Sequence, residues 1–316
     1  MTEGIPFTLE GRRVYVAGHS GMAGSAIVRR LTRENCQVVT ASHRELDLTR
    51  QSDVEAWMVA QKPDVVFLAA AKVGGIYAND TRPAEFLYEN LAIETNVIHA
   101  AWRTGVKKLL LLGSSCIYPR GATQPIKEEA LLAGQLEPTN EAYAIAKIAG
   151  IKLCQAYRRQ YGCDFIAAMP TNLYGPGDRY DLLQGHVVAA LIMKIHAAKR
   201  AGENSVVIWG SGTPRREFLF SEDMADGCVF MMKHYSDCPH LNLGTGVDIT
   251  IRELAEIIAK VAGWQGEFVY DQSKPDGMPR KVMDVTRLSA LGWSARTDFE
   301  TGMRAAYEWY TANLLV

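Results

Sequence analysis

The chain predicts an α/β protein, a doubly wound parallel sheet followed by a smaller mixed α/β lobe. Three observations carry this. Short apolar runs alternate with longer helical patterns through the first half. The runs are apolar throughout, as strands are when helices cover both faces of a parallel sheet. A glycine-rich turn joins the first such run to the first helical pattern.

Taken in order, strands are expected at 13–17, 37–41, 65–69, 108–113 and 164–169, with helices at 22–34, 52–61, 83–104 and 142–161 between them. Right-handed crossovers wind such a series into a Rossmann-like sheet. After about Thr171 the rhythm loosens, and Gly/Pro-rich loops at 174–178, 210–214 and 274–279 separate shorter elements. Helices at 187–201, 221–235, 251–262 and 300–313 are expected to cover a second lobe. The organisation predicted is a dinucleotide-binding domain over 1–170 and a mainly substrate-binding lobe over 171–316, with some later elements free to return to the first sheet.

Composition narrows the classes. Hydrophobic residues are 48% and charged residues 22% of 316, with a formal net charge of −1. That balance is ordinary for a globular protein and argues against a nucleic-acid or anionic-membrane footprint. The N-terminal stretch holds no apolar run of signal-peptide length, and no run is long enough to span a bilayer. Six cysteines without a C-x-x-C read as reduced thiols in a cytoplasmic protein. The histidines show no metal-ligand spacing, and no metal is expected.

The turn after the first strand reads Gly18-His19-Ser20-Gly21-Met22-Ala23-Gly24. Its glycines let the backbone approach a pyrophosphate, and the helix that follows supplies amides and the positive end of its dipole. A dinucleotide is therefore expected here, with His19 near the pyrophosphate through its loop. The end of the second strand shows no acid until Glu45, while Arg44 stands where it can meet a 2′-phosphate and Ser20 and Ser42 can donate hydrogen bonds. This favours NADP. The competing reading makes Arg44 a solvated surface charge and gives Glu45 or Asp47 the ribose-binding role.

Tyr143 and Lys147 lie four residues apart in N-E-A-Y-A-I-A-K-I-A-G and share one face of a helix. An ammonium beside a phenol favours the phenolate. Bringing a tyrosine pKa from about 10 to near 7 requires about 4 kcal/mol, and a unit charge at ~5 Å with an effective dielectric of ~20 supplies roughly 3 kcal/mol. A second pair of this spacing, Tyr270 and Lys274, ends a strand and runs into Pro275, so it has no helical face to share. Ser114, at the end of the fourth strand, completes a Ser–Tyr–Lys set in which serine hydrogen-bonds a carbonyl oxygen and tyrosine gives or takes its proton.

With the glycine loop, this set identifies a short-chain dehydrogenase/reductase. Six runs make the resemblance narrower: A-A-K-V-G-G-I-Y-A-N from Ala70, G-S-S-C-I-Y-P from Gly113, L-E-P-T-N-E-A-Y-A-I-A-K-I-A-G from Leu136, M-P-T-N-L-Y-G-P from Met169, W-G-S-G-T-P-R-R-E-F from Trp209 and S-K-P-D-G-M-P-R-K from Ser273. Together they resemble the GDP-L-fucose synthases, which are GDP-4-keto-6-deoxy-D-mannose 3,5-epimerase/4-reductases, over essentially the whole chain. The resemblance implies an NADPH-dependent enzyme acting on a GDP-linked 4-keto-6-deoxy sugar. It implies that Cys116 and His186 exchange the C3 and C5 protons, and that Tyr143 donates to the C4 oxygen during reduction. It implies that Leu112, Gly113, Ser114, Ser115, Lys147, Pro170, Thr171, Asn172, Leu173 and His186 border the cofactor.

For the sugar nucleotide it points to Lys194, Trp209, Arg216 and Asp276. Lysine and arginine suit a diphosphate, the tryptophan stacks or packs on the nucleotide, and the aspartate accepts from hydroxyls. Arginine often stands in the family where this chain has Ser20, which removes one cation from the 2′-phosphate site. A homodimer built on the helices at 83–104 and 142–161 as a four-helix bundle is also implied. The nearest rival makes a related sugar such as GDP-L-colitose with the same groups. A dehydratase would carry acids where this chain has Ser115 and Cys116. A non-catalytic NADP-binding redox sensor would have lost the Tyr143/Lys147 pair.

Overall fold

The computed structural model describes residues 7–182, 185–274 and 276–314. Residues 1–6 and Pro275, both used in the sequence reading, lie outside them. In chain order the strands are β1 (Arg13–Ala17), β2 (Gln37–Val39), β3 (Val65–Leu68), β4 (Lys108–Leu112), β5 (Asp164–Pro170), β6 (Asn172–Tyr174), β7 (Ser205–Trp209), β8 (Arg215–Phe220), β9 (Leu241–Leu243), β10 (Asp248–Thr250), β11 (Glu267–Asp271) and β12 (Arg280–Lys281). The α-helices are α1 (Met22–Leu31), α2 (Gln51–Gln61), α3 (Ile76–Thr81), α4 (Pro83–Arg103), α5 (Glu141–Tyr161), α6 (Val187–Ala201), α7 (Ser221–His234), α8 (Ile251–Ala262), α9 (Thr286–Ala290) and α10 (Phe299–Leu314).

The main sheet is parallel, in the order β2-β1-β3-β4-β5-β9. Its strands alternate between two cores. Val65 and Phe67 of β3 face one, beneath α1 and α7, while Val66 and Leu68 face the other, beneath α2, α4 and α5. That two-sided burial is why these strands read as continuous apolar runs. β2 ends at Val39, short of the expected 41, because the chain turns there and Glu45 accepts hydrogen bonds from the Ser42 amide and hydroxyl, each 2.8 Å.

The second lobe is built on β8, which pairs with β6, β10 and β12, and on the parallel pair β7–β11. Helices α6, α8 and α10 pack with β7 and β8 into a third core around Ile192, Leu254, Ile258, Phe218 and Met303. A capping box, Thr250 with Glu253, starts α8, a feature worth about 1 kcal/mol. The helix expected at 221–235 does not cover this lobe. α7 instead lays Met224, Ala225, Cys228 and Met232 on the main-sheet core beside α1. Its apolar stripe suits either core. The choice follows from β9, which comes next in the chain and joins β5 as the sixth strand.

Candidate active site

One cavity of about 590 Å³ opens at the carboxyl ends of β1, β3, β4 and β5, where open parallel sheets place ligands. Its floor is the loop Gly18–Gly24. Gly18 has φ +84°, and a Cβ on it would sit 2.6 Å from the Ala70 amide nitrogen. A Cβ on Gly24 would collide with the Gly18 carbonyl oxygen. Only glycine therefore lets the loop, the third strand's end and α1 come this close. The first amides of α1 have no side-chain cap at Gly21, which leaves them for an anion. His19 also lines the cavity, with a buried Nδ1 that has no partner among the described residues. This cradle fits a dinucleotide pyrophosphate.

The structure brings most of the expected residues to this cavity. Gly18, His19, Ser20, Gly21, Met22, Ala23, Gly24, Leu112, Gly113, Ser114, Ser115, Tyr143, Lys147, Pro170, Thr171, Asn172, Leu173 and His186 all line it. Arg44 does not. It is exposed on the turn beside the cavity, and its exposed neighbour His43 is on the wall. Asp47 is on the wall too, but its carboxylate already accepts from the Thr49 amide at 3.0 Å and hydroxyl at 2.7 Å. Ser42 spends its hydroxyl on Glu45.

Ser114 caps a short 3₁₀ turn, Ser115–Ile117, and its Oγ accepts from the Cys116 amide at 3.5 Å. Cys116 is buried in that turn rather than on the cavity wall. Burial pushes its thiol up, while Lys281, Ser114 and Lys147 pull it back down. Lys281 was not singled out in the sequence, though it ends the K-P-D-G-M-P-R-K run. It stands in β12 beside Arg216 of β8. His186 holds the N-cap position of α6, and its side chain makes no cap bond, which leaves the ring for the cavity it lines.

Tyr143 behaves differently from the sequence expectation. Burial pushes its hydroxyl up to about 12, against the downward pull of Lys147. The phenol is thus held protonated, as a proton donor must be. Behind Lys147 stands a residue the sequence reading missed. Lys147 Nζ lies 2.8 Å from Glu94 Oε1 in a fully buried pair, and it donates to the Leu112 carbonyl at 3.1 Å. Its distance to the Tyr143 ring centroid is 5.8 Å. The signal for Glu94 was an acid on the buried stripe of α4, between Asn90 and Val97.

The expected sugar-nucleotide residues form a separate cluster on the second lobe, outside that cavity. Lys194 Nζ is 5.2 Å from the Trp209 ring centroid and donates to the Val207 carbonyl at 3.1 Å. Arg216 donates to the carbonyls of Arg215 at 2.8 Å and Met278 at 2.6 Å. Asp276 accepts from the Ser211 amide at 2.9 Å and hydroxyl at 2.7 Å. Trp209 is 58% exposed, so it is no core residue, and the Lys274 ammonium also lies over its ring, 5.7 Å from the centroid. Among the described residues there is no cluster of groups able to hold a metal and no helix long and apolar enough to cross a membrane.

Comparison with known proteins agrees with this geometry. Residues 14–244 match the family model described as the NAD dependent epimerase/dehydratase family. The chain is 58% identical to a GDP-L-fucose synthase of Sinorhizobium fredii, over 98% of each chain. It is 39% identical to a GDP-L-colitose synthase of Yersinia pseudotuberculosis, over 94% of this chain and 97% of that one. A solved structure of a GDP-L-fucose synthetase from Naegleria fowleri bound to NADP superposes with a TM-score of 0.91 at 26% identity, covering 99% of this chain and 98% of that one. The chain belongs to the NAD-dependent epimerase/dehydratase family, among its GDP-L-fucose synthases.

Proposed function

We propose that the protein converts GDP-4-keto-6-deoxy-D-mannose to GDP-L-fucose, by epimerisation at C3 and C5 and reduction of the C4 ketone, with NADP as its cofactor. The observation that carries this is convergence: Ser114, Tyr143, Lys147 and His186 line one cavity, with Cys116 in the turn that Ser114 caps.

A 4-ketone acidifies the protons at C3 and C5, so each centre inverts when one group removes a proton and another returns one to the opposite face. Cys116 and His186 take these two roles. The Lys281 and Lys147 ammonium groups favour the thiolate that Cys116 needs as a base, against the burial that opposes it. The bound NADPH supplies the hydride for C4. Ser114 holds the ketone oxygen by a hydrogen bond, and Tyr143, kept protonated, delivers its proton to that oxygen. Lys147 stabilises the phenolate left behind. The Gly18–Gly24 cradle and the α1 amides hold the pyrophosphate, and Ser20, His43 and Arg44 stand at the adenosine end. Lys194 and Arg216 take the GDP diphosphate, Trp209 packs on the nucleotide, and Asp276 accepts from hydroxyls.

The reading also places the protein in the cytoplasm, as a homodimer joined through α4 and α5. Tyr88 on α4 and Ile145 on α5 are exposed apolar residues, which supports that face as the contact. Residues 1–170 serve the cofactor and most of 171–316 the sugar nucleotide, with α7 and β9 returning to the main sheet.

The test is incubation with the ketosugar and NADPH in deuterated water. The expected product is GDP-L-fucose carrying deuterium at C3 and C5. In Cys116→Ser the thiol becomes a hydroxyl that barely ionises at neutral pH, so wash-in collapses while slow reduction to a rhamnose-type sugar persists. Wild-type exchange in Cys116→Ser would reduce the assignment to a plain 4-ketosugar reductase. Identification of colitose in place of fucose would move the substrate.

A further inference from the structure

The Glu94–Lys147 pair is a built feature of the site. Both side chains are 2% exposed, and Nζ and Oε1 are 2.8 Å apart. The pair joins α4 to α5, from positions 53 residues apart. Gly150 is what makes room for it. On α5, Tyr143, Lys147 and Gly150 lie on one helical face, and a Cβ at Gly150 would run into the Glu94 carboxylate. A lysine ammonium has three donors. One is donated to the Leu112 carbonyl, while Glu94 meets the ammonium as an ion pair whose carboxylate oxygens accept no hydrogen bond among the described residues, and Lys147 also lines the cavity.

A lysine so buried sheds its proton unless an anion faces it. The titratable groups acting on Lys147 are Glu94 from α4, Tyr143 from its own helix and Cys116 from the turn after β4. Tyr143 and Cys116 are both held neutral, chiefly by burial. Lys281 of β12 acts on Cys116 with positive charge, Cys154 of α5 lies near Glu94 with its thiol pushed up by burial, and His186 and Asp178 stand elsewhere on the cavity wall. Burial works to lower Lys147 and to raise Glu94, each pulls the other back toward its charged form, and Glu94 first and Tyr143 second hold Lys147 above its ordinary value.

We propose that Glu94 is a positioning residue of the reductase half, the internal counter-ion that keeps Lys147 charged and aimed so that Tyr143 can give up its proton. This rests on the roles assigned above to Lys147 and Tyr143. Glu94 itself touches neither substrate nor cofactor.

The test uses the whole protein with isotope-labelled lysine side chains, titrated by nuclear magnetic resonance. The Lys147 signal is identified by its loss in Lys147→Arg. In Glu94→Gln the Lys147 midpoint falls by on the order of 1–3 pH units relative to wild type. The alkaline fall in the rate of ketone reduction moves to lower pH with it. Glu94→Asp, which keeps the charge, restores most of both. Should Glu94→Gln not fold, Gly150→Ala keeps the carboxylate but pushes it off Lys147, and the same fall in midpoint is expected there. A Lys147 midpoint equal to wild type in Glu94→Gln or in Gly150→Ala overturns the proposal. So does a reduction rate lowered evenly at every pH, which would mark Glu94 as packing alone. The lysine titration needs no sugar, so it can fail while the substrate assignment stands, or succeed while that assignment fails.

Discussion

The two halves of the cleft are made of different material. The cofactor half is main chain and buried side chains: a glycine loop fixed by close approach to Ala70, a helix end without a cap, and an ion pair sealed between α4 and α5. The half proposed for the sugar nucleotide is made of long polar side chains already bonded to neighbouring backbone and to Ser211. Arg216 is bonded to two carbonyls, Asp276 to Ser211, and Lys194 to the Val207 carbonyl. A ligand entering the first half meets the uncapped amides of α1 and the partnerless Nδ1 of His19. A ligand entering the second must exchange existing hydrogen bonds for its own, and each exchange nets only about 0.5–1.5 kcal/mol. Substitutions in the first half should therefore cost far more than those in the second.

The largest effect is expected at Tyr143. Tyr143→Phe removes the proposed proton donor from an otherwise intact wall, and NADPH oxidation should fall by about 10²–10⁴-fold, the usual worth of a positioned general acid. Cofactor affinity, read by fluorescence titration, should barely change. Turnover within a few-fold of wild type would take Tyr143 out of the mechanism.

An intermediate effect is expected at the rim of the cofactor half. Arg44 is exposed and off the wall, so any contact with a 2′-phosphate is made in solvent. Arg44→Ala should weaken NADPH by about 10-fold, the low end of a charge-assisted contact, and leave NADH nearly unchanged. His43→Ala is the control. A larger loss there would move the 2′-phosphate contact to the wall residue, and equal losses for both cofactors in Arg44→Ala would remove it from the site.

The same contrast explains what the sequence could tell. The glycine loop, the strand ends and the Tyr143/Lys147 pair are local patterns, written within a turn or two of chain, and they could be read before any packing was known. Glu94 could not be, because its meaning depends on α4 lying against α5 and on Gly150 leaving a space. The charge of Lys147 was legible, but not the burial that outweighs it at Tyr143, and so the expected fall of the Tyr143 pKa toward neutrality did not follow. α7 was placed on the wrong lobe for a related reason. An amphipathic stripe says that one face is buried and nothing about which sheet buries it. Lys281 sat inside a quoted run, yet its place beside Cys116 is set by β12 pairing with β8.

The smallest effect is expected at Asp276, and it is the sharpest check on the comparison. Its carboxylate is solvent-facing and held below its ordinary value by the Ser211 hydroxyl and amide and by the charge of Arg216. Asp276→Ala frees the loop at Ser211 and removes one acceptor for a sugar or ribose hydroxyl. KM for the sugar nucleotide should rise only about two- to fivefold, with kcat and the NADPH affinity unchanged. Steady-state kinetics with the ketosugar varied at saturating NADPH would read this directly. A hundredfold rise in KM, or a matching fall in kcat, would mean that the second lobe is as preorganised as the first. The internal bonds of Arg216, Asp276 and Lys194 would then be the finished binding site, not contacts that a ligand displaces.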